Sequence, residues 1–174
     1  MNIKGEFVLD PTLLIDKKYY LNEIQNYHNF FNLNDKFIFI YQLDKNEKID
    51  KIIKESAEKF NYKIHNHVLK RGDYIESFIY EISKCQAVIT DSYHGTLFSI
   101  MFNKPFLSFI NRERGKGRFD SLIEIFNITN RIIDTKKNQT IDINLLEMPL
   151  NLNLTLFNKL QNYSINFLKR NLDI

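Results

Sequence analysis

Short apolar runs alternate with stretches of helical spacing along most of this chain. Short runs that are rich in β-branched and aromatic residues are typical of buried strands. The runs predicted as strands are 36–43, 62–65, 86–90, 105–110 and 131–133. Because strands that alternate with helices form βαβ units, the pattern predicts an α/β fold with a parallel sheet of about four to six strands. We expect the runs at 36–43, 86–90 and 105–110 to be neighbours or near-neighbours in that sheet.

Apolar residues at helical spacing predict the helices between these runs. The predicted helices are 17–31, 45–60, 73–84, 96–102, 119–126 and 154–172. Asp73 is a plausible N-cap for the third helix, because its carboxylate can accept from first-turn N–H groups. The helix that includes 96–102 must stop near Lys104, since Pro105 disfavours helical backbone in the residue before it. The inward residues of the second helix are expected to be Ile49, Ile52, Ile53 and Ala57.

The C-terminal part of the chain divides into two predicted pieces. The stretch 135–153 has weak periodicity and many asparagines, so it is interpreted as a surface crossing. The final helix, 154–172, follows it. The apolar face of that helix is expected to consist of Leu156, Leu160, Phe167 and Leu168.

Length and composition fit one globular domain that spans residues 1–174. A chain of this length hides roughly 70% of its unfolded surface, so it can build a core without disulfides. The single cysteine, Cys85, is interpreted as a buried structural thiol in a reducing compartment, which predicts a cytoplasmic location. We expect neither a signal peptide nor a membrane span, because no apolar run approaches ~20 residues. A net charge of +3 is too small to indicate nucleic acid.

A polar turn follows the predicted strand 86–90 and opens a helix. The turn carries Asp91, Ser92 and His94. Ligands of a parallel sheet gather outside the carboxyl ends of the strands, so this turn faces the expected pocket. The N–H groups at a helix N-terminus suit a phosphate or carboxylate, and an imidazole titrates near neutral pH. Taken alone, the residues also allow Asp91 or Ser92 to cap the helix and His94 to make only a local hydrogen bond.

A basic loop follows the predicted strand 105–110. Residues 111–118 hold four cations and two glycines. Because this loop also follows a strand, it emerges at the same sheet edge as His94, and its charge suits an anionic ligand. A solvated charged loop is the alternative, and nucleic acid is disfavoured because no aromatic platform accompanies the charge. The arginines of the loop are Arg112, Arg114 and Arg118.

Other candidate chemistry is weaker. His65 and His67 form a His-x-His pair, but no Cys, Asp or Glu lies close by in sequence, so we expect no metal site. Ser92 lacks the flanking glycines of a nucleophile elbow, so it is not interpreted as a hydrolase serine.

The run 91–106, DSYHGTLFSIMFNKPF, resembles a known family pattern. In polysaccharide pyruvyl transferases, Asp-Ser-Phe/Tyr-His-Gly-Thr precedes Phe-Ser and Asn-Lys-Pro-Phe. The resemblance covers about residues 7–134. The other segments that are similar to the family are Leu-Asp-Pro-Thr at 9–12, Arg-Phe at 118–119, Ser-Leu at 121–122 and Asn-Arg at 130–131.

The resemblance implies a bacterial transferase with two Rossmann-like lobes, similar to the GT-B glycosyltransferases. Such an enzyme moves the enolpyruvyl carbons of phosphoenolpyruvate onto two hydroxyls of a sugar in a capsule or exopolysaccharide. A pyruvate ketal forms and free phosphate leaves. The implied partners are phosphoenolpyruvate and a sugar or lipid-linked oligosaccharide, and no resident cofactor is implied.

The resemblance also assigns roles to residues. The family's histidine matches His94, which is expected to act as the general acid that protonates the methylene carbon. A cation that contacts the donor in some relatives matches Arg114, where other relatives carry lysine. We expect Arg114, supported by Arg112 or Arg118, to hold the phosphate as charge develops on it. The turn residues expected to bind the donor are Ser92, Gly95 and Thr96.

The family has an N-terminal lobe that supplies the acceptor surface and a further donor-binding arginine. This chain begins where the second lobe should begin, so we expect it to be the donor-side half and to be inactive by itself. Two alternatives remain open. One is the nucleotide-sugar lobe of a GT-B glycosyltransferase, which UDP or CMP binding without phosphoenolpyruvate binding would favour. The other is a non-catalytic remnant that kept its fold.

Overall fold

The computed structural model describes residues 5–25, 35–68, 75–110, 116–152 and 154–172. The strands in these ranges are β1 (Phe37–Tyr41), β2 (Lys63–Asn66), β3 (Ala87–Thr90), β4 (Phe106–Ile110) and β5 (Ile132–Asp134). They form one sheet in the order β2-β1-β3-β4-β5, and every neighbouring pair is parallel. The predicted parallel sheet is therefore confirmed. The three central runs, which form β1, β3 and β4, are neighbours as expected.

The helices of the described ranges are α1 (Lys17–Glu23), α2 (Glu47–Phe60), α3 (Ile75–Lys84), α4 (Tyr93–Met101), α5 (Lys116–Phe126) and α6 (Leu154–Leu172). The prediction of a helix over 17–31 was too long. Backbone and side-chain hydrogen bonds from Gln25 to Asn22 close a turn just after α1. The later part of that prediction, with Tyr27 and Phe31, lies outside the described residues, as does the expected Asp73 cap.

Helices cover both faces of the sheet. Because side chains alternate along a strand, Phe37 and Phe39 of β1 join one core cluster, whereas Ile38 and Ile40 join the other. Buried residues of α3, α4 and α5 pack in the first cluster. Residues of α2 pack in the second, and the predicted inward face of α2 is confirmed. This arrangement is an α/β, Rossmann-like fold. Its central strands β1, β3 and β4 are mostly apolar because both of their faces are covered, whereas the edge strand β2 is largely exposed.

The predicted surface crossing at 135–153 is mostly exposed, but it also contributes to the core. A short 3₁₀-helix, Ile143–Leu146, places Leu145 and Leu146 in the core on the α2 side. The guanidinium of buried Arg131 holds this stretch in place, because it donates to Leu145 O at 2.6 Å and to Met148 O at 2.9 Å. Two buried leucines in one short turn are too few to produce a periodic pattern in the sequence.

Helix α6 packs against the domain along part of its length. Phe157 packs against Phe126 of α5, with ring centroids 5.3 Å apart, and Leu160 packs against the same core cluster. Ser164 is completely buried. The predicted apolar face is covered unevenly, since Leu160 packs on the core whereas Leu168 is 39% exposed, and Leu172 beyond it is 61% exposed. The contact between α6 and the domain therefore weakens toward the C-terminal end of the helix.

Candidate active site

The turn between β3 and α4 is fixed by the last residue of the strand. Thr90 Oγ1 donates to Tyr41 O of β1 at 2.6 Å and accepts from the Ser92 N–H at 3.0 Å. Ser92 caps α4, as the sequence also allowed, because its side chain accepts from the Gly95 N–H at 3.4 Å. The N-terminus of α4 therefore lies at the carboxyl edge of the sheet, where ligands of such sheets bind.

Gly95 allows α4 to pack this closely on β3. A Cβ at this position would collide with Thr90 Oγ1 and lie only 3.1 Å from Thr90 Cγ2. Thr96, in the same turn, is completely buried, and its hydroxyl lies 2.7 Å from Ser108 Oγ of β4. It also donates to Ser92 O at 3.0 Å. Gly95 and Thr96 thus hold the turn against the sheet from behind the pocket.

His94 lies at the rim of the site. Its side chain is 55% exposed, and its Nε2 is 4.0 Å from Asp10 Oδ2. The other carboxylate oxygen of Asp10 accepts from the Thr12 N–H at 2.9 Å, which fixes the orientation of the carboxylate. An imidazole and an oriented carboxylate therefore face each other at the rim of the pocket.

Tyr93 joins His94 to the start of α5. Its ring makes edge-on contacts with His94 and Phe119, with centroids 5.6 and 5.5 Å apart. The guanidinium carbon of Arg118 lies 4.9 Å from the centre of the same ring. Burial raises the pKa of the Tyr93 hydroxyl, the nearby Asp10 raises it further, and Arg118 opposes both. The tyrosine therefore stays neutral while its ring supports a cation.

These side chains border a pocket of about 180 Å³. Two loop residues, Leu43 and Asp44, form its far wall, and Asp91 fixes them there. The Asp91 carboxylate accepts from the Leu43 N–H at 2.7 Å and from the Asp44 N–H at 2.9 Å. Burial raises the pKa of Asp91, and these two bonds partly offset that effect. The described lining residues are Leu43, Asp44, Asp91, Ser92, Tyr93, His94, Arg118 and Phe119.

The structure brings together three of the residues that the sequence predicts for the site: Ser92, His94 and Arg118. Arg112 and Arg114 lie outside the described residues. Sequence reasoning missed Asp10, Asp44 and Tyr93 as site residues. Asp10 appeared only as part of the Leu-Asp-Pro-Thr resemblance, and no spacing signal links it to a histidine so far along the chain.

The His-x-His pair lies elsewhere, and Glu81 of α3 contacts both histidines. Glu81 Oε2 is 2.7 Å from His67 Nδ1 and 3.0 Å from His65 Nε2. Burial by itself would raise the pKa of Glu81, but the hydrogen bonds from the two histidines outweigh it, so the pKa is lowered. Across the described ranges, no group of three His, Cys, Asp or Glu residues could hold a metal ion.

Two further residues have structural roles. Cys85 is buried, and its thiol donates to Ile82 O at 3.1 Å. Burial raises the pKa of this thiol to about 12, so the predicted structural thiol is confirmed. Arg131, which resembled the family's closing arginine, donates to Phe106 O at 3.4 Å, at the amino end of β4. It therefore lies at the sheet edge opposite to His94.

A family model described as "Polysaccharide pyruvyl transferase" matches residues 1–113 of this 174-residue chain. The match includes Asp10, His94 and strands β1 to β4, whereas Arg118 and α6 lie beyond it. Comparisons with curated proteins and with solved structures gave no significant match. None of the described helices is both long enough and apolar enough to cross a membrane.

Proposed function

The chain belongs to the polysaccharide pyruvyl transferase family, and we propose that it forms the donor-binding half of the transferase. The donor is phosphoenolpyruvate, and the acceptor is a sugar of a surface polysaccharide or of its lipid-linked precursor. One observation carries this proposal. His94 and Arg118 border the same pocket at the N-terminus of a helix that starts at the carboxyl edge of the sheet.

The pocket suits a small dianionic ligand. Phosphoenolpyruvate carries a carboxylate and a phosphate, and it needs both a cation and N–H donors. Ser92 satisfies the N–H groups of Gly95 and Thr96. The N–H groups of Tyr93 and His94, which begin the helix, are left to bind an anion. Arg118 supplies the positive charge from the other side. The carboxylates of Asp44 and Asp91 also line the pocket, so binding of an anion depends on Arg118 and on these N–H groups.

His94 is the residue suited to proton transfer. Protonation of the methylene carbon makes C2 of the donor electrophilic, so that a sugar hydroxyl can form a C–O bond there. The second hydroxyl forms the other C–O bond as the bond to phosphate breaks. The proton of one sugar hydroxyl returns to His94 and replaces the proton that His94 gave to the carbon. The proton of the other hydroxyl leaves with the phosphate. Asp10 faces His94 across 4.0 Å, and general-acid catalysis of this kind contributes ~10²–10⁴-fold.

The acceptor needs a second surface. A pocket of about 180 Å³ is smaller than the ~300–1,000 Å³ that ligand sites usually occupy, and the His94 side chain is more than half exposed. We place the acceptor on a second lobe that faces this open side, as in two-lobed transferases of the GT-B type. The donor would then lie between the lobes, with His94 at the junction.

The proposal is tested by phosphate release from phosphoenolpyruvate in the presence of sugar acceptors and of the facing lobe. We expect His94→Asn to lower turnover much more than donor affinity, because a general acid acts mainly in the transition state. Arg118→Ala should instead weaken donor binding. Arg170→Ala, which removes a cation in the last turn of α6, is the matched control and should change neither. Binding of UDP or CMP without phosphoenolpyruvate binding would contradict the proposal.

A further inference from the structure

Helix α6 makes a polar contact with the segment that carries Asp10. The backbone N–H of Leu9 donates to Ser164 Oγ over 3.0 Å, and Ser164 is completely buried. The same hydroxyl donates to Leu160 O at 2.7 Å, so its own hydrogen atom is already used. Leu9 directly precedes Asp10. The contact therefore lies one residue from the carboxylate that faces His94.

A second bond fixes the other end of this segment. Gln161 Nε2, one turn earlier on α6, donates to Leu13 O at 2.8 Å. Leu9 and Leu13 are both buried in the same core cluster. Residues 9–13 are thus held at each end by a buried leucine and by a hydrogen bond to α6. Within the segment, the Thr12 N–H orients the Asp10 carboxylate.

We propose that Ser164 is a positioning residue for the Asp10–His94 pair. The proposal rests on the proposed function, in which His94 transfers the proton, and it adds an element beyond the stretch that the family model matches. Without Ser164 Oγ, the Leu9 N–H would be buried and unpaired, and the backbone must shift to find another acceptor. Asp10 and His94 are separated by 4.0 Å, so a small shift at Asp10 changes their electrostatic coupling.

Imidazole signals of His94, observed by NMR at one near-neutral pH, test this proposal without any need for turnover. Asp10→Asn should move the His94 signals, because it removes the neighbouring negative charge. Ser164→Ala should move them in the same direction. In the double variant, Ser164→Ala should add nothing to the effect of Asp10→Asn, since it acts through Asp10.

Ser56→Ala is the matched control. Ser56 is also completely buried and donates to the carbonyl four residues earlier at 2.7 Å, but it lies in α2 on the other face of the sheet. It should leave the His94 signals unchanged. If Ser164→Ala does not fold, Ser164→Cys and Gln161→Met replace it, because each weakens one bond between α6 and the segment with little change in size.

Four results would each overturn the proposal. The first two are unchanged His94 signals in Asp10→Asn and unchanged signals in the Ser164 and Gln161 variants. The third is an effect of Ser164→Ala that adds to the effect of Asp10→Asn. The fourth is a shift in Ser56→Ala as large as the shift in Ser164→Ala. A failure of the proposed function is distinct, since it would appear as absent phosphate release while the coupling between Ser164, Asp10 and His94 remained measurable.

Discussion

Tyr93 contacts three different parts of the candidate site. Its ring touches His94 and Phe119, and the Arg118 guanidinium lies over the ring face. Arg118 makes no salt bridge among the described residues, so the ring is the group that orients it. We therefore expect Tyr93 to support donor binding through its ring rather than through its hydroxyl.

Substitutions at Tyr93 distinguish the contribution of the ring to donor binding from the contribution of the hydroxyl. Tyr93→Leu removes the cation–π contact, which is worth about 0.5–2 kcal/mol, so the Kd for phosphoenolpyruvate should rise by about 2- to 30-fold. Tyr93→Phe keeps the ring and should bind as the original chain does. Titration calorimetry measures both constants. Equal losses in the two variants would show that the hydroxyl, and not the ring, is the contributing group.

The absence of a side chain at Gly95 lets α4 lie close to Thr90, and this steric role can be tested. Gly95→Ala brings a Cβ into Thr90 Oγ1, and overpacking of this kind costs about 1–3 kcal/mol. Thr90→Ala removes the colliding atoms, so Gly95→Ala should cost less in that background than it does alone. Urea denaturation of the four variants of this cycle gives the coupling energy. A purely additive cycle would contradict the collision.

Among the elements, edge strand β2 is joined to α3 by a buried carboxylate. Glu81 is buried, and its Oε2 contacts His65 of β2 and His67, the residue just after that strand. Because the folded pKa of Glu81 is lowered, the unfolded chain binds more protons than the folded chain around the ordinary value of 4.5. The stabilisation is thus complete above that value and is lost as the pH falls through the folded pKa.

Replacement of Glu81 should make the free energy of unfolding depend less on pH in the acidic range. Glu81→Gln is expected to lower the free energy of unfolding by about 2–4 kcal/mol near neutral pH, since a buried charged partner of two histidines is removed. The difference from the original chain should shrink as the pH falls below 4.5. Urea denaturation across this range measures it, and Glu58→Gln, an exposed change in α2, is the control. A difference that stays constant with pH would contradict the assignment.

Local patterns predicted the elements but not the contacts between them. The strands were found within two residues of their predicted bounds. The central strands β1, β3 and β4 are buried along nearly their whole length, so their sequences are almost entirely apolar. The contact between Glu81 and the His-x-His pair, and the one between Asp10 and His94, join residues from separate elements. No periodicity encodes such pairs. The buried turn within 135–153 was missed for the same reason. Arg131 binds backbone carbonyl oxygens of that stretch, and because every residue has such an oxygen, the sequence does not mark the contact.

At the scale of the whole molecule, the site lies at one edge of the sheet and is open on one side. The described pocket is small, and His94 is more than half exposed. Orientation of the acceptor can supply ~7–11 kcal/mol of a barrier, and an open site cannot supply it. We therefore expect this chain alone to bind phosphoenolpyruvate weakly and to release little phosphate, and an added acceptor-side lobe to raise the rate. Rapid phosphate release by the chain alone would show that its site is already complete.

The central claim is that the pocket between α4 and α5 binds phosphoenolpyruvate. The most direct test is a titration of the chain with phosphoenolpyruvate, followed residue by residue in ¹H–¹⁵N NMR spectra. We expect saturable shifts of the backbone signals of Tyr93 and His94 and of the Arg118 side chain, with loss of saturation in Arg118→Ala. Saturable shifts confined to another surface, or no shifts at high concentrations of the donor, would contradict it.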